Sequence, residues 1–171
     1  MRRCGKRGAS GLVLVEYMLT LPLLLIILTG LVDCAQLILT HAQLDHLTRE
    51  AGNLTSRGIG TNDTWATLLL MQSPLDLTTN GQLIFTTVAA KSDSDTTPWV
   101  QSQTTKGTRA FLATSRVGEV NGAAVIPGID SLPGGVTMVA VEAAYAFSPL
   151  IPPPSITGLT LPTHVDAIAY F

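Results

Sequence analysis

One carboxylate of this chain lies in a long apolar stretch, where burial of its negative charge would cost free energy. Glu16 lies in the stretch from Leu12 to Val32, which has 21 residues and is otherwise apolar apart from two threonines. At about 1.5 Å rise per residue, a helix of this length crosses the roughly 30 Å hydrocarbon core of a bilayer. An ionised, unpaired acidic group in that layer costs several kcal/mol, so we expect Glu16 to have a cationic partner.

The chain itself supplies such a cation if it is cut after Gly11. Leu12 would then be the new N-terminus, and Glu16 would be the fifth residue of the processed chain. The new α-ammonium could pair with the Glu16 carboxylate one turn away on its own helix, or with that of a neighbouring helix. Either arrangement lets two buried charges satisfy each other.

A basic leader ends in Gly11, Glu16-Tyr17 are the fifth and sixth residues after it, and Pro22 follows Met-Leu-Thr-Leu. These features resemble the class III signal of tight-adherence (Tad) pilus proteins, and among them the TadE-like minor pilins or pseudopilins. The resemblance implies cleavage between Gly11 and Leu12 by a membrane aspartyl prepilin peptidase. It also implies that Glu16 and Tyr17 set the register of the helix during assembly.

The C-terminal region carries a second point of similarity. Val141-Glu142, Tyr145 and Pro149-Leu150 form a strand that enters a proline-rich loop, which looks like the C-terminal pattern of TadE-like proteins and favours them over TadF-like minor pilins. The resemblance implies a structural or assembly component of a Tad-type pilus. Its implied partners are the prepilin peptidase, a major Flp-type pilin, a TadF-like minor pilin, an inner-membrane assembly platform and membrane lipid.

Charge predicts the orientation of the chain in the membrane. Four of the first seven residues are basic, whereas the first cation beyond the apolar stretch is Arg49. The positive-inside rule therefore places the N-terminus in the cytoplasm and the large domain outside it, with a single pass through the bacterial inner membrane. Loss of the leader leaves six Lys and Arg against twelve Asp and Glu, and this acidic balance argues against nucleic acid as a partner.

The elements that position these residues follow from composition and periodicity. We predict a leader over 1–11, a transmembrane helix over 12–33 kinked at Pro22, an amphipathic continuation over 34–58, and an exterior domain over 59–171. The continuation has one apolar face, which consists of Leu37, Leu44, Leu47, Ala51 and Leu54.

The exterior domain is predicted to be α+β and pilin-like, with an antiparallel sheet and a short helix. Asn62-Asp63-Thr64 offer N-cap oxygens to a helix over Trp65 to Met71, and Asn80-Gly81 is a turn signal. A long surface loop is expected from Arg116 to Gly135. The predicted strands are Gln82 to Ala90, Trp99 to Thr105, Val136 to Phe147 and His164 to Phe171.

The sequence contains no catalytic or cofactor-binding motif. His41 and Asp45 are one helical turn apart, but His46 faces elsewhere and the H-E-x-x-H spacing is absent. Asp93 and Asp95 form D-x-D without the glycine and distal glutamate of a calcium loop. We therefore predict no enzyme activity, no metal and no cofactor. Cys34 is the one cysteine left after the leader is removed, so no internal disulfide can form.

One alternative stays open at this point. The chain could be an uncleaved single-pass membrane protein whose exterior domain binds a ligand or a partner. This alternative explains the apolar helix equally well, but it leaves Glu16 unexplained.

Overall fold

A computed structural model describes residues 7–112, 114–149 and 162–171, with side chains from residue 13 onwards. Within these ranges the fold is α+β, as the sequence predicts. The start of the leader and the proline run at 152–154 lie outside the described residues. The elements are α1 (Arg7–Ser56), α2 (Thr61–Met71), α3 (Leu77–Asn80), β1 (Gly81–Ala90), β2 (Pro98–Gly107), β3 (Thr137–Ala146) and β4 (His164–Tyr170).

The chain divides into two compact units. The first consists of Met1–Leu37 and Pro149–Leu161, and its described part is mainly the apolar half of α1. The second consists of Ile38–Ser148 and Pro162–Phe171, and it contains the rest of α1, the two short helices and the sheet.

The four strands form one antiparallel sheet in the order β2-β1-β3-β4. The four predicted strands are confirmed, with ends that differ by one or two residues. β1 and β3 are central, and Phe85 of β1 lies opposite Val141 of β3. Because both faces of these central strands are covered, β3 is buried continuously from Ala140 to Ala144 instead of alternating with solvent.

Helices cover one face of the sheet. The predicted apolar face of the helix is confirmed where it belongs to the second unit, since Leu44, Leu47 and Ala51 are fully buried. The backbone of Phe171 pairs with that of Val139 in β3. The Phe171 ring lies against Gly52 of α1. The part of α1 around Gly52 therefore packs on the face of the sheet that carries the Phe171 side chain.

The segment from Arg116 to Gly135 covers the other face. Its Val117, Ile126 and Leu132 are buried in one cluster with residues of the sheet, which are Val88, Val100 and Ala140. The expectation of a surface loop was therefore only partly correct, because the sheet has a second apolar face and this irregular segment is what buries it. Backbone bonds from Asn121 N to Val100 O at 3.0 Å, and from Val100 N to Gly122 O at 2.9 Å, fix it to the edge of β2.

Two local predictions were wrong. α2 begins at Thr61 after Gly60, which has extended backbone and provides no side-chain cap. Thr64 does not cap the helix because it lies inside it: its backbone N–H donates to the Gly60 carbonyl at 2.9 Å, and its hydroxyl is buried without a hydrogen-bond partner in the described residues. Asn80-Gly81 does not form a hairpin turn but joins α3 to β1, and a Cβ at Gly81 would come within 2.8 Å of the Leu77 backbone.

The contact between Gly52 and Phe171 gives a stability prediction. A Cβ at Gly52 would overlap the Phe171 ring, so Gly52→Ala should lower the free energy of unfolding by about 1–3 kcal/mol, the usual cost of overpacking. In a Phe171→Ala background the clash is gone and the gain in helix propensity remains. There Gly52→Ala should raise that free energy by about 1 kcal/mol.

Urea unfolding of the detergent-solubilised protein, followed by tryptophan fluorescence, would measure both effects. The Phe171→Ala protein is the matched control. Equal destabilisation by Gly52→Ala in both backgrounds would show that the ring does not set the requirement for glycine.

Candidate functional site

The apolar half of α1 is the first candidate site. Val13–Ser56 is the one helix of the described residues that is long and apolar enough to cross a membrane. From Val13 to Leu28 every side chain is exposed, so the described residues do not cover this surface. One long apolar N-terminal helix of this kind fits a single-pass membrane protein.

Glu16 and Tyr17 lie near the start of this apolar surface, and both side chains are exposed. Within the part of the chain that the structure describes, the Glu16 carboxylate has no hydrogen bond and no ion pair. Gly11 and Leu12 belong to the same helix, which begins at Arg7. Residues 12 and 16 are therefore one helical turn apart.

The other polar groups of the apolar half are satisfied locally. Thr20 Oγ1 donates to the Glu16 carbonyl at 2.9 Å, and Thr29 Oγ1 donates to the Leu25 carbonyl at 2.9 Å. Such bonds to the preceding turn let threonine hydroxyls lie in an apolar medium. Pro22 lies inside the helix, where it supplies no backbone N–H to the carbonyl four residues earlier. The Glu16 carboxylate thus differs from the threonine hydroxyls, because it has no hydrogen-bond partner in the preceding turn of the helix.

Residues that sequence reasoning considered as metal ligands do not come together. Asp45 forms an ion pair with Arg49 at 3.1 Å, as the i,i+4 spacing predicts. Asp95 accepts hydrogen bonds from the hydroxyl and backbone N–H of Thr97, which hold the pKa of its carboxyl below the usual value. Among the described residues, no group of three His, Cys, Asp or Glu side chains could hold a metal ion. Cys34 is a free, exposed thiol.

The exterior unit contains a second polar site, centred on Glu142 in the middle of β3. Its side chain is 1% exposed, and its carboxylate accepts hydrogen bonds from the Ser115 hydroxyl and from the Arg116 backbone N–H at 2.9 Å. Ser115 Oγ in turn accepts from the Val117 N–H at 3.1 Å. One buried carboxylate thus fixes the start of the segment that covers the second face of the sheet.

Charged and aromatic groups surround this carboxylate. The Arg116 guanidinium pairs with Asp166 of β4 at the surface. Burial of the Tyr170 ring, and secondarily the negative charge of Glu142, raise the pKa of the Tyr170 hydroxyl, and Arg116 opposes this. The arrangement is that of a structural anchor, since neither Glu142 oxygen faces a cluster of potential ligands in the described residues.

Sequence reasoning noted Glu142 only as part of a C-terminal resemblance and did not predict its role. The sequence does contain a sign of this structural role, because Glu142 is the single charged residue of Thr137–Ala146. A carboxylate in an apolar central strand must be hydrogen-bonded, and its partners must come from another segment. Their identity was not predictable, because Ser115 and Arg116 lie 26 residues or more from it in an irregular segment.

Comparison with known protein families connects the first site to a function. Residues 11–53 match the family model described as TadE-like protein, which confirms the resemblance seen around Gly11. The match is consistent with a TadE-like component of Tad pilus systems, a structural and assembly family that is not known for enzymes. The matched residues lie within α1 and do not extend to the sheet. No curated protein and no solved structure matches the chain.

Proposed function

We propose that this chain is a minor pilin or pseudopilin of a Tad-type pilus, processed after Gly11 by a prepilin peptidase and then assembled through its apolar helix. The observation that carries the proposal is the start of the TadE-like match at residue 11. This is the residue after which cleavage would give Glu16 a cationic partner. A pilus component with this helix accounts for both the match and the carboxylate.

In this proposal the electrostatics of the new terminus drive assembly. After cleavage, Leu12 carries an α-ammonium at the N-terminus of a helix, where the macrodipole adds positive charge. Glu16 is one turn away along the same helix and pairs with that ammonium, or with the ammonium of a neighbouring pilin helix. Tyr17 lies beside it and helps to set the register, and Pro22 kinks the helix to fit its neighbours.

The same proposal assigns a place to each part of the chain. Residues 1–11 are the cytoplasmic leader, 12–33 cross the inner membrane, 34–58 continue the helix, and 59–171 form the exterior domain. The proposed neighbours in the membrane or fibre are the major Flp-type pilin, a TadF-like minor pilin, the assembly platform and lipid. The acidic net charge of the processed chain argues against nucleic acid as a partner.

The test is the intact mass of the membrane-extracted protein, expressed with and without the cognate prepilin peptidase. With the peptidase we expect loss of residues 1–11, which leaves Leu12 as the N-terminus. Gly11→Glu should abolish cleavage completely, because a charged side chain replaces the hydrogen of the residue at the cut. The mass of this variant should then be that of the full chain in both strains.

The matched control is Gly30→Ala, since Gly30 lies in the same helix far from the cut and a Cβ there meets nothing within 4 Å. This variant should be cleaved as the unaltered chain is. A full-length mass for the unaltered chain beside a demonstrably active peptidase would contradict the proposal. That outcome would favour the uncleaved single-pass protein with an exterior binding domain.

A further inference from the structure

Two short pieces of the chain, 108–112 and 114–116, follow β2 and lie on either side of residue 113, which is outside the described residues. We call these two pieces the strap. Their side chains are all exposed or half-buried. By contrast, the segment that comes next has three side chains buried in the apolar cluster on the second face of the sheet. The strap therefore contributes no fully buried side chain to the unit.

One side chain of β1 holds the first piece of the strap. Gln82 is 4% exposed, and its Oε1 accepts hydrogen bonds from the backbone N–H of Phe111 at 2.7 Å and of Leu112 at 2.8 Å. Its Nε2 donates to the Leu112 carbonyl at 3.3 Å. A single side-chain amide thus supplies three hydrogen bonds to the backbone of the strap.

Glu142 of β3 holds the second piece, through the Ser115 hydroxyl and the Arg116 backbone N–H. In the register of β1 and β3, Gln82 lies opposite Ala144, which is two residues from Glu142. The two side chains are therefore diagonal neighbours on one face of the sheet, at a distance of about 7–8 Å. We call Gln82 and Glu142 the two anchors of the strap.

Other contacts of the strap lie nearer the surface. The Thr108 hydroxyl donates to the Thr78 carbonyl at 2.7 Å, and the Phe111 ring stacks on the half-buried His164 ring with centroids 5.9 Å apart. Among the described residues, no backbone–backbone hydrogen bond joins the strap to a strand. Every hydrogen bond between the strap and the sheet thus includes a side chain.

The burial of the anchors couples them to each other. While the strap is in place, Gln82 is 4% exposed and Glu142 is 1% exposed, so water cannot replace a strap group that leaves either of them. Loss of one anchor alone would leave buried polar groups unsatisfied, which is costly. Removal of the whole strap lets water reach both anchors and exposes little apolar side chain of the strap itself. Opening of the complete strap is therefore the cheaper event.

We infer that the strap separates from the sheet as one unit, so that the Gln82 amide and the Glu142 carboxylate face water while the four strands and the apolar cluster stay folded. The opening makes the one charged group of β3 accessible without unfolding the sheet. It concerns contacts within the exterior unit, and it requires neither cleavage after Gly11 nor entry into a pilus.

Amide hydrogen exchange of the detergent-solubilised full chain, followed by NMR, tests the inference. The probes are the amides of Phe111, Leu112 and Arg116, and the references are those of Val125 and Leu132, which donate to backbone carbonyls. We expect the three probes to share one protection factor, at least about tenfold lower than those of the two references. Unequal protection at residues 112 and 116, or equal protection of all five amides, would overturn the inference.

Two substitutions test whether the anchors are coupled. Gln82→Leu removes the first anchor and leaves the bond of the Arg116 amide to Glu142 intact, yet unit opening should accelerate exchange at Arg116 by at least about tenfold. Ser115→Ala removes one donor to the second anchor, and it should accelerate exchange at Phe111 and Leu112 by about tenfold. Because Ser115 is half-buried, this variant keeps the fold even if Gln82→Leu does not.

The matched control is Gln103→Leu, the same chemical change on β2. The Gln103 side chain donates to the Gly118 carbonyl at 2.7 Å, just beyond the strap. This variant should leave exchange at Phe111, Leu112 and Arg116 within about twofold of normal. An equal acceleration by Gln103→Leu and Gln82→Leu would show general loosening of the unit and overturn the inference. Acceleration confined to the amides that lose their own acceptor would overturn it as well.

Discussion

Glu16→Ala should leave cleavage after Gly11 intact and abolish incorporation of the processed chain into an assembled pilus. The substitution removes the carboxylate and leaves the α-ammonium of Leu12 buried without a partner. Removal of one member of a buried ion pair costs about 3–5 kcal/mol. This is a loss of roughly a hundredfold or more in an association equilibrium.

The measurement compares the intact mass of the membrane fraction with the amount of the chain in sheared surface fibres. Thr20→Ala is the matched control, since the Thr20 hydroxyl bonds to the Glu16 carbonyl of its own helix and its loss should leave both quantities near normal. Normal fibre content for the Glu16→Ala chain, with normal cleavage, would refute the role of this carboxylate. Failure of cleavage would instead place Glu16 in recognition by the peptidase.

Glu142→Ala should have the largest effect on the stability of the exterior unit. It leaves the Ser115 hydroxyl and the Arg116 backbone N–H without their acceptor, at about 1–3 kcal/mol for each buried group. We therefore expect the free energy of unfolding to fall by about 3 kcal/mol. Glu142→Gln keeps the shape and one acceptor oxygen, so its cost should stay below about 1.5 kcal/mol.

Hydrogen exchange would show where Glu142→Ala acts. Because Glu142 fixes the start of the segment from Arg116 to Gly135, the amides of Val117, Val125 and Leu132 should lose protection before those of β1. Asp166→Asn is the matched control, since its ion pair with Arg116 is half-exposed and contributes at most about 1 kcal/mol. Equal effects of the three substitutions would contradict the anchoring role of Glu142.

The parts of the fold that the sequence predicted are those with a periodic pattern. The length of the apolar stretch predicts the helix, and the apolar spacing predicts the buried face at Leu44, Leu47 and Ala51. Runs rich in β-branched residues predict the strands, because a strand is defined by its own residues and their alternation.

The parts that could not be predicted depend on contacts between distant residues. No periodicity indicates that Val117, Ile126 and Leu132 are buried, since each belongs to an irregular segment that follows the surface of the sheet. Residues with strong local preferences also changed roles under tertiary constraint. Thr64 offers a cap oxygen in isolation, but its side chain is buried on the inner side of α2.

Because of the strand order, β1 is synthesised well before one of its two partner strands. β1 pairs with β2, which follows it at once, and with β3, whose Tyr145 lies opposite Gly81 and is 64 residues later. At about 5–20 residues per second, the second edge of β1 stays unpaired for roughly 3 to 13 s. During that time a strand containing Leu83, Ile84 and Phe85 is open to pairing with another chain. The nascent chain is therefore most vulnerable to aggregation in the interval before β3 emerges.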